Sequence, residues 1–416
     1  MFNTTKAMPI FLCALVTVLL ISRNVMGQGD IKAQRITLTE AQAQAQAVGK
    51  AGSLAQLGID AARFHRKAAQ ADYFPHVGST FANLHFNKFM GQRIETATRT
   101  AELPLADKDQ TIVAVTVTQP VTPLFKVHQA VKIAKSDEAI ARAKAAQLNG
   151  QIAGDVEGLY FGLLIAQRRQ MVADTKVKMI ESGLQLVSTA PPPLSGMADR
   201  HALPEARKEL VAAKSLVTEL TQSLNALIGL SPDTELELTA PEFVDETVSL
   251  REATQQAIAS NAEVVEAEQA VVKARAAAKL SKLEYVPDVA VIGAYTYQTA
   301  IPLLPRDFSF IGVMATYNLF DFGKRENIVS EHKTELSMAE ANLDLVKAKV
   351  AASVQKSFLD LERIKQIRDL TRQVAVMYQS SSEAKISLAN AEANMYQAEL
   401  DYRVAFTQLK RAIEGR

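Results

Sequence analysis

The sequence predicts a mainly α-helical chain that carries four β-strands and is built from two copies of one structural unit. Three observations predict this fold class. The two halves of the chain align with each other, each half contains two β-rich segments, and each half contains one unusually long helical pattern. The repeat fixes the architecture before any single element is assigned.

The internal repeat consists of ungapped correspondences between the two halves. The segment Leu38–Ala41 (Leu-Thr-Glu-Ala) aligns with Leu250–Ala253 (Leu-Arg-Glu-Ala), and the register then holds for about fifty residues. Further aligned pairs are Tyr73/Tyr285, Pro75/Pro287, Lys126/Lys324 and Tyr160/Phe358. We therefore place the first repeat at residues 28–247 and the second at residues 248–416.

Helices occupy most of each repeat. The patterns at residues 128–187 and 324–379 are each on the order of 60 residues, or roughly 90 Å of helix. In the segments that follow, small or apolar residues step by three and four from Leu203 to Leu227 and from Leu388 to Ala412. This heptad spacing predicts helices packed along a left-handed seam. Helices of this length favour a tube over a compact core.

Two β-rich segments lie inside each repeat, at about residues 75–86 and 111–121 and at about residues 287–297 and 308–319. The preceding helices end at Pro75 and Pro287, because proline disfavours helical geometry in the residue before it. The segments have the length of tilted membrane-spanning strands. The connections 87–110 and 298–307 are predicted to be exposed loops. Candidate membrane-strand residues are Val77, Phe81, Val113, Val115, Val291, Tyr295, Tyr297, Phe310 and Tyr317; an ordinary sheet core is the alternative environment for the tyrosines.

Four strands are too few to close a barrel, and an open sheet edge is not viable in lipid. If the strands contact lipid, several chains must contribute to one barrel, and three chains would supply about twelve strands. The flanking helices contain many Lys, Glu, Asp and Arg residues. They are therefore expected to project into an aqueous compartment.

Residues 1–27 have the pattern of an export signal. Lys6 precedes the apolar segment Ile10–Ile21, and a small-residue cleavage site follows that ends at Gly27. The apolar run of about 12 residues is short of the roughly 20 that a spanning helix needs. Cleavage near Gly27 is expected, with a retained anchor as the alternative. The one cysteine, Cys13, lies within this segment, so the exported chain would have no disulfide and no thiolate metal site.

Taken together, these features resemble the TolC-type outer-membrane efflux protein family. The resemblance covers the whole exported chain and includes the Leu-Phe-Asp-Phe-Gly-Lys-Arg segment Leu319–Arg325, which is similar to the strand-to-helix signature of that family. It implies a homotrimer with a 12-stranded β-barrel in outer-membrane lipid, continuous with a long α-helical barrel that crosses the periplasm. The implied partners are a periplasmic adaptor and an inner-membrane pump. The implied role is a passive exit duct for tripartite efflux or type I secretion, without enzymatic activity or cofactor.

The resemblance also suggests candidate residues at the end of the tube. The adaptor-docking turns would contain Gly196, Met197, Leu203, Ser381, Ser382 and Leu388. Positions that carry a ring of carboxylates in relatives correspond to Ser387 and Asn390, so no acidic ring is predicted there, although Glu383 lies nearby. These three residues are the candidates for a pore constriction.

Several other functions are disfavoured by the sequence. The six histidines are scattered without ligand spacing, and no phosphate-binding loop or nucleophile motif is present, so no catalytic, cofactor or metal site is predicted. A formal net charge of +1 gives no argument for nucleic acid. The remaining alternative is a periplasmic coiled-coil adaptor or a structural protein without a pore. The sequence leaves the cargo open among drugs, metals and proteins.

Overall fold

The computed structural model of the chain describes residues 34–88, 90–96, 99–187, 196–239, 248–301, 304–379 and 385–415. Most of these residues are helical and a few strands lie between the helices, so the mainly α-helical class is confirmed. The proposed signal, residues 1–27, lies outside the described residues. The boundary between the proposed repeats falls at the end of the segment 240–247, which also lies outside them, and the division remains a prediction.

The first half of the chain contains six strands and four helices in the described residues. They are β1 (Gln34–Ile36), α1 (Leu38–Val48), α2 (Lys50–Ala71), β2 (His76–His85), β3 (Met90–Thr96), β4 (Arg99–Ala106), β5 (Asp109–Pro120), α3 (Pro123–Val187), α4 (Gly196–Ile228) and β6 (Leu236–Leu238). The second half repeats this order with fewer strands. Its elements are α5 (Leu250–Ser260), α6 (Ala262–Lys282), a 3₁₀ turn (Leu283–Tyr285), β7 (Asp288–Gln298), β8 (Asp307–Thr316), α7 (Lys324–Gln379) and α8 (Lys385–Glu414).

The aligned halves break their first helix at the same place. Gly49 separates α1 from α2, and Asn261, which aligns with Gly49, separates α5 from α6. The Asn261 side chain accepts a 2.8 Å hydrogen bond from the backbone N–H of Glu263, which caps α6. It also donates a 3.0 Å hydrogen bond to the carbonyl of Ala412 at the end of α8. One buried side chain thus begins a helix and fixes another helix end beside it.

Four strands form one antiparallel sheet in the order β2-β5-β7-β8. Each of these strands is 10 to 12 residues long. The predicted exposed loop between residues 87 and 110 is wrong in part, because β3 and β4 form an antiparallel hairpin within it. The sequence of this segment lacks a clear apolar alternation, so it does not reveal the backbone pairing of the two strands.

A small parallel pair, β1 with β6, lies outside the main sheet and was not predicted. The Tyr160 hydroxyl of α3 lies 3.0 Å from the carbonyl oxygen of Ile36 and 2.7 Å from that of Thr239, so it ties the long helix to this pair. Tyr160 belongs to the larger apolar core of the first half, and a second core forms around Val354 and Phe406 in the other half. The described residues therefore contain two apolar cores, and the β1–β6 pair packs against the first.

The helices form a layer. Helix α2, which precedes the edge strand β2, and helix α7, which follows the edge strand β8, lie at the two edges of this layer. Helix α3 packs against α2, α4, α6 and α8, whereas α7 packs against α5, α6 and α8. None of the described helices combines the length and the apolar character that crossing a bilayer requires.

Candidate functional site: a two-faced sheet with two open edges

The main sheet has two faces of different composition, and residue parity distinguishes them. The strand register pairs Val77 with Val117, Val113 with Tyr297, and Val291 with Val313, so odd-numbered residues share one face across all four strands. We call this surface the odd face and the opposite one the even face. The larger apolar members of the odd face are Val77, Phe81, Val113, Val115, Val117, Val289, Val291, Tyr295, Tyr297, Ile311 and Val313.

These odd-face side chains are exposed to a degree that is unusual for such an apolar set. Phe81 is 73% exposed and Ile311 is 82% exposed, and Val291 is half-buried on the same face. A contiguous exposed apolar surface of this kind marks contact with a membrane or another protein. Seven of the candidate membrane-strand residues, Val77, Phe81, Val113, Val115, Val291, Tyr295 and Tyr297, lie on the odd face.

Two of the candidate membrane-strand residues lie elsewhere. Phe310 pairs with Ala294, which places it on the even face. Tyr317 falls outside β8, because that strand ends at Thr316 and the chain then turns into α7. The guanidinium carbon of Arg325 lies 5.1 Å from the centre of the Tyr317 ring, so this tyrosine contributes to the turn rather than to the strand.

The sheet has two open edges in the described part of the chain. Strand β2 pairs only with β5 and strand β8 pairs only with β7, so each presents one row of backbone groups without a strand partner. Strand β2 runs away from α2, and β8 runs back towards α7. A copy placed beside this one would therefore bring its β2 antiparallel to β8.

Exposed apolar stripes continue both edges along the helices. On α7, Met338, Leu345, Leu359, Ile367, Leu370 and Val374 recur at helical spacing on one face and are exposed. On α2, which leads into β2, the exposed residues Leu54, Leu57 and Phe64 also share one face. The strand edge and the adjoining helix face are thus both unpartnered on each side of the chain.

Ion pairs fasten the sheet to the helices at its base. The Lys126 ammonium lies 2.9 Å from Asp288 and 3.4 Å from Glu284, which joins the start of α3 to the start of β7. Burial lowers the pKa of Lys126, but the hydrogen bonds and negative charges of Asp288 and Glu284 outweigh it and raise the pKa above its ordinary value. Thr122 adds a 2.6 Å hydrogen bond from its hydroxyl to the carbonyl of Pro287.

A second fastening holds the turn between β8 and α7. Arg325 donates hydrogen bonds to Asp321 at 2.6 Å and to the carbonyl of Asn318 at 2.7 Å, and its guanidinium lies over Tyr285 as well as Tyr317. Burial raises the pKa of Asp321, but the bonds and charge from Arg325 lower it overall. Phe322 and Gly323 both adopt positive φ in this turn, of 55° and 80°. The strained Phe322 conformation is held by the hydrogen bonds around it.

The candidate tip residues are only partly placed. Ser381, Ser382 and Glu383 lie outside the described residues. Gly196 and Met197 fall in the first turn of α4 and Leu388 falls in α8, where the backbone alone is described. Leu203 is half-buried on α4, and Ser387 and Asn390 are exposed on α8. The docking and constriction roles of all these residues remain predictions.

Sequence reasoning missed the polar contacts between the two helical hairpins. Arg169 of α3 donates a 2.7 Å hydrogen bond to Gln397 of α8, and Arg168 lies 3.7 Å from Glu392. Helix partners across the two repeats are not encoded in either heptad pattern, so no sequence signal identified these pairs.

A buried ion pair between Glu157 of α3 and Arg411 of α8 was also missed. The Glu157 side chain is 3% exposed, and its second oxygen has no hydrogen-bond partner. Burial raises the pKa of Glu157, against the nearby Thr407 hydroxyl and the charges of Arg411 and Arg403, which lower it. A methyl group at Gly154 would meet the Arg411 guanidinium at 2.6 Å, so glycine at this position makes room for the pair.

No group of three or more His, Cys, Asp or Glu side chains in the described ranges is arranged to hold a metal ion. The arrangement of the site is therefore one of surfaces: an apolar sheet face, two unpaired edges and a layer of long polar helices.

Comparison with known proteins identifies this architecture. No family model matches the chain, and no curated protein matches it. Among solved structures, a membrane protein from Pseudomonas aeruginosa superposes with a TM-score of 0.70 at 15% identity, covering 90% of this chain and 93% of that one. The outer membrane protein VceC from Vibrio cholerae gives 0.66 at 14% identity, covering 91% and 96%.

The open-state MtrE outer membrane channel of Neisseria gonorrhoeae gives a TM-score of 0.69 at 14% identity, covering 91% of this chain and 88% of that chain. The chain therefore has the fold of TolC-type outer membrane channels along nearly its whole length.

Proposed function

We propose that this chain is one subunit of a homotrimeric TolC-type outer-membrane channel, a passive conduit across the outer membrane and the periplasm. The observation that carries the proposal is the main sheet, which is apolar on its exposed odd face and unpaired along β2 and β8. Its fold is that of channels found in the outer membrane of other bacteria.

The open edges argue for a ring of copies. In hydrocarbon every unpaired backbone N–H and C=O group is costly, so the only sheets that span membranes are closed barrels. Strand β8 of one copy and β2 of the next are antiparallel when placed side by side, so identical copies joined head to tail close a ring without a break in the pattern. Three copies of a four-stranded sheet give about twelve strands, within the range of such barrels.

The helical layer supports the same assembly. The apolar stripe on α7 and the stripe on α2 lie on opposite edges of the subunit, on the same sides as β8 and β2. A neighbouring copy, placed by one rotation, therefore covers the strand edge and the helix stripe together. Helix α3 has 65 residues, which corresponds to about 98 Å. A tube of that length suits a passage through the periplasm.

The proposed partners are a periplasmic adaptor and an inner-membrane pump. They would meet the end of the tube farthest from the sheet, where α3 and α7 end and the candidate docking residues Gly196, Met197, Leu203, Ser381, Ser382 and Leu388 occur in sequence. The channel itself is proposed to bind no cofactor and to catalyse no reaction. Its system is efflux or type I secretion, a choice made by the pump.

The test is the membrane behaviour of the full chain expressed in a Gram-negative host. We expect the protein in the outer-membrane fraction, soluble only with detergent, migrating as a trimer that dissociates to monomer on heating. Purified trimers should conduct ions when inserted into a planar bilayer. A freely water-soluble monomer would contradict the proposal and favour a periplasmic adaptor.

A further inference from the structure

The even face of the main sheet carries no charged side chain between its two ends. From Gly78 to Leu84 in β2, Gln110 to Thr118 in β5, Ala290 to Gln298 in β7 and Phe308 to Thr316 in β8, every even-numbered residue is uncharged. Asp288 stands at the base of β7 and is already paired with Lys126. In the proposed trimer the odd face meets lipid, so the even face becomes the wall of the pore.

The aromatic side chains on the even face of the main sheet, Phe308 and Phe310, both belong to β8. The register sets Phe310 beside Ala294, Thr116 and Gly78 in one row, and sets Phe308 beside Thr296 and Ala114 in the next. Phe310 is 50% exposed, so about half of its surface is available for contact. In these two rows, each subunit therefore presents an aromatic ridge on β8 beside a trough of glycine, alanine and threonine.

Closure of the ring places a second trough on the other side of the ridge. Strand β8 would lie next to β2 of the following copy, whose even-face residues Gly78, Thr80 and Ala82 are again small. The aromatic ridge is then flanked by small residues on both sides. A flat aromatic molecule can lie in such a trough with its edge or face against the phenylalanine rings.

We propose that the ridge formed by Phe308 and Phe310 is a binding surface for uncharged or amphipathic aromatic small molecules that pass through the barrel. The proposal deepens the channel function and rests on it. A wall without fixed charge neither concentrates ions of one sign nor requires a charged group to be desolvated when an apolar molecule binds. Aromatic side chains provide the attraction, and the neighbouring small residues provide the space.

The chain contains no tryptophan, so a single introduced tryptophan reports on its own position. We would purify the full-length trimer carrying Phe310→Trp and titrate it with N-phenyl-1-naphthylamine, an uncharged aromatic probe that accepts energy from tryptophan. The control is Val313→Trp, on the odd face of the same strand. We expect saturable quenching for Phe310→Trp and only gradual, non-saturating quenching for Val313→Trp, as the probe enters the detergent.

Adding Phe308→Ala to the Phe310→Trp protein should raise the half-saturating probe concentration about three- to tenfold, since one aromatic contact is removed. Adding Ser309→Ala, which alters the odd face, should leave it unchanged. Equal quenching of the two tryptophan reporters, or no effect of Phe308→Ala, would contradict the proposed binding surface. If the same trimers still conduct ions, the proposed channel function is unaffected by that result. A soluble monomer would overturn both.

Discussion

Tyr160 is the single residue that most directly links the long helix to the β1–β6 pair. Its hydroxyl is buried between the carbonyl oxygens of Ile36 and Thr239, and burial raises the pKa of the phenol. Tyr160→Phe should lower the free energy of unfolding by about 1–2 kcal/mol, because buried carbonyls lose a donor. Circular dichroism at 222 nm during thermal unfolding measures the change. Tyr295→Phe, on the exposed odd face, is the matched control and should change the melting temperature little.

The Glu157–Arg411 pair gives a residue-scale prediction with a defined pH dependence. Because the pKa of Glu157 is raised by burial, the folded chain binds this proton more readily than the unfolded chain. Stability from this group is therefore fully present at low pH and declines as the pH rises from the unfolded value near 4.5 through the folded value. Glu157→Gln should flatten that decline in thermal melts recorded from pH 4 to 8.

Arg411→Ala tests the same pair from its other side. It leaves a buried carboxylate without its counter-charge and should cost about 3–5 kcal/mol at neutral pH. The double variant Glu157→Gln with Arg411→Ala should recover most of that loss, since no buried charge remains. An unchanged melting temperature in Arg411→Ala, or no recovery in the double variant, would argue against a coupled buried pair.

At the scale of the element, the proposed channel predicts that residue parity along strand β5 separates lipid contact from pore contact. Val115 lies on the odd face and Thr116 on the even face. Val115→Arg should impair membrane insertion, because arginine facing the middle of the bilayer costs about 2–4 kcal/mol. Thr116→Arg should insert normally and shift the pore towards anions, which the reversal potential in a salt gradient measures. The reverse pattern for these adjacent residues would mean that the two faces are assigned the wrong way round.

The elements differ in how far the sequence predicts them. Helices α3 and α7 are long and strongly patterned, and prolines mark where β2 and β7 begin, so local chemistry identifies them. The β3–β4 hairpin escaped prediction because its sequence has no regular alternation of apolar and polar residues. Tyr317 was assigned to a strand because it is aromatic, whereas the end of β8 is decided by the Asp321–Arg325 turn. The sequence places Phe310 in a strand. The face of the sheet on which it lies follows only from the strand register, which is set by pairing with the neighbouring strand.

At the scale of the whole molecule, the sequence does not reveal which distant segments contact each other. The Glu157–Arg411 and Arg169–Gln397 pairs join residues that are more than 200 positions apart. Each repeat predicts its own hairpin from its heptads, but the way two hairpins pack is set by three-dimensional fit. The two open edges of the chain are also features that the sequence alone does not reveal. Which strand edges stay unpaired and which helix stripes stay exposed becomes visible only once the fold is known, and the proposed assembly rests on both.

The exposed apolar stripe on α7 leads to a prediction about the proposed trimer. Leu370 lies on the stripe and is 61% exposed in the single subunit, whereas Val376 is 64% exposed on a different side of the same helix. Leu370→Glu should lower the temperature at which the trimer dissociates on a semi-native gel, because a carboxylate would be buried at the subunit contact. Val376→Glu, with the same change in charge and a similar exposure, should dissociate like the unmodified protein. Equal effects of the two substitutions would show that the α7 stripe is not where neighbouring copies meet, and another face of the helix layer would then have to close the ring.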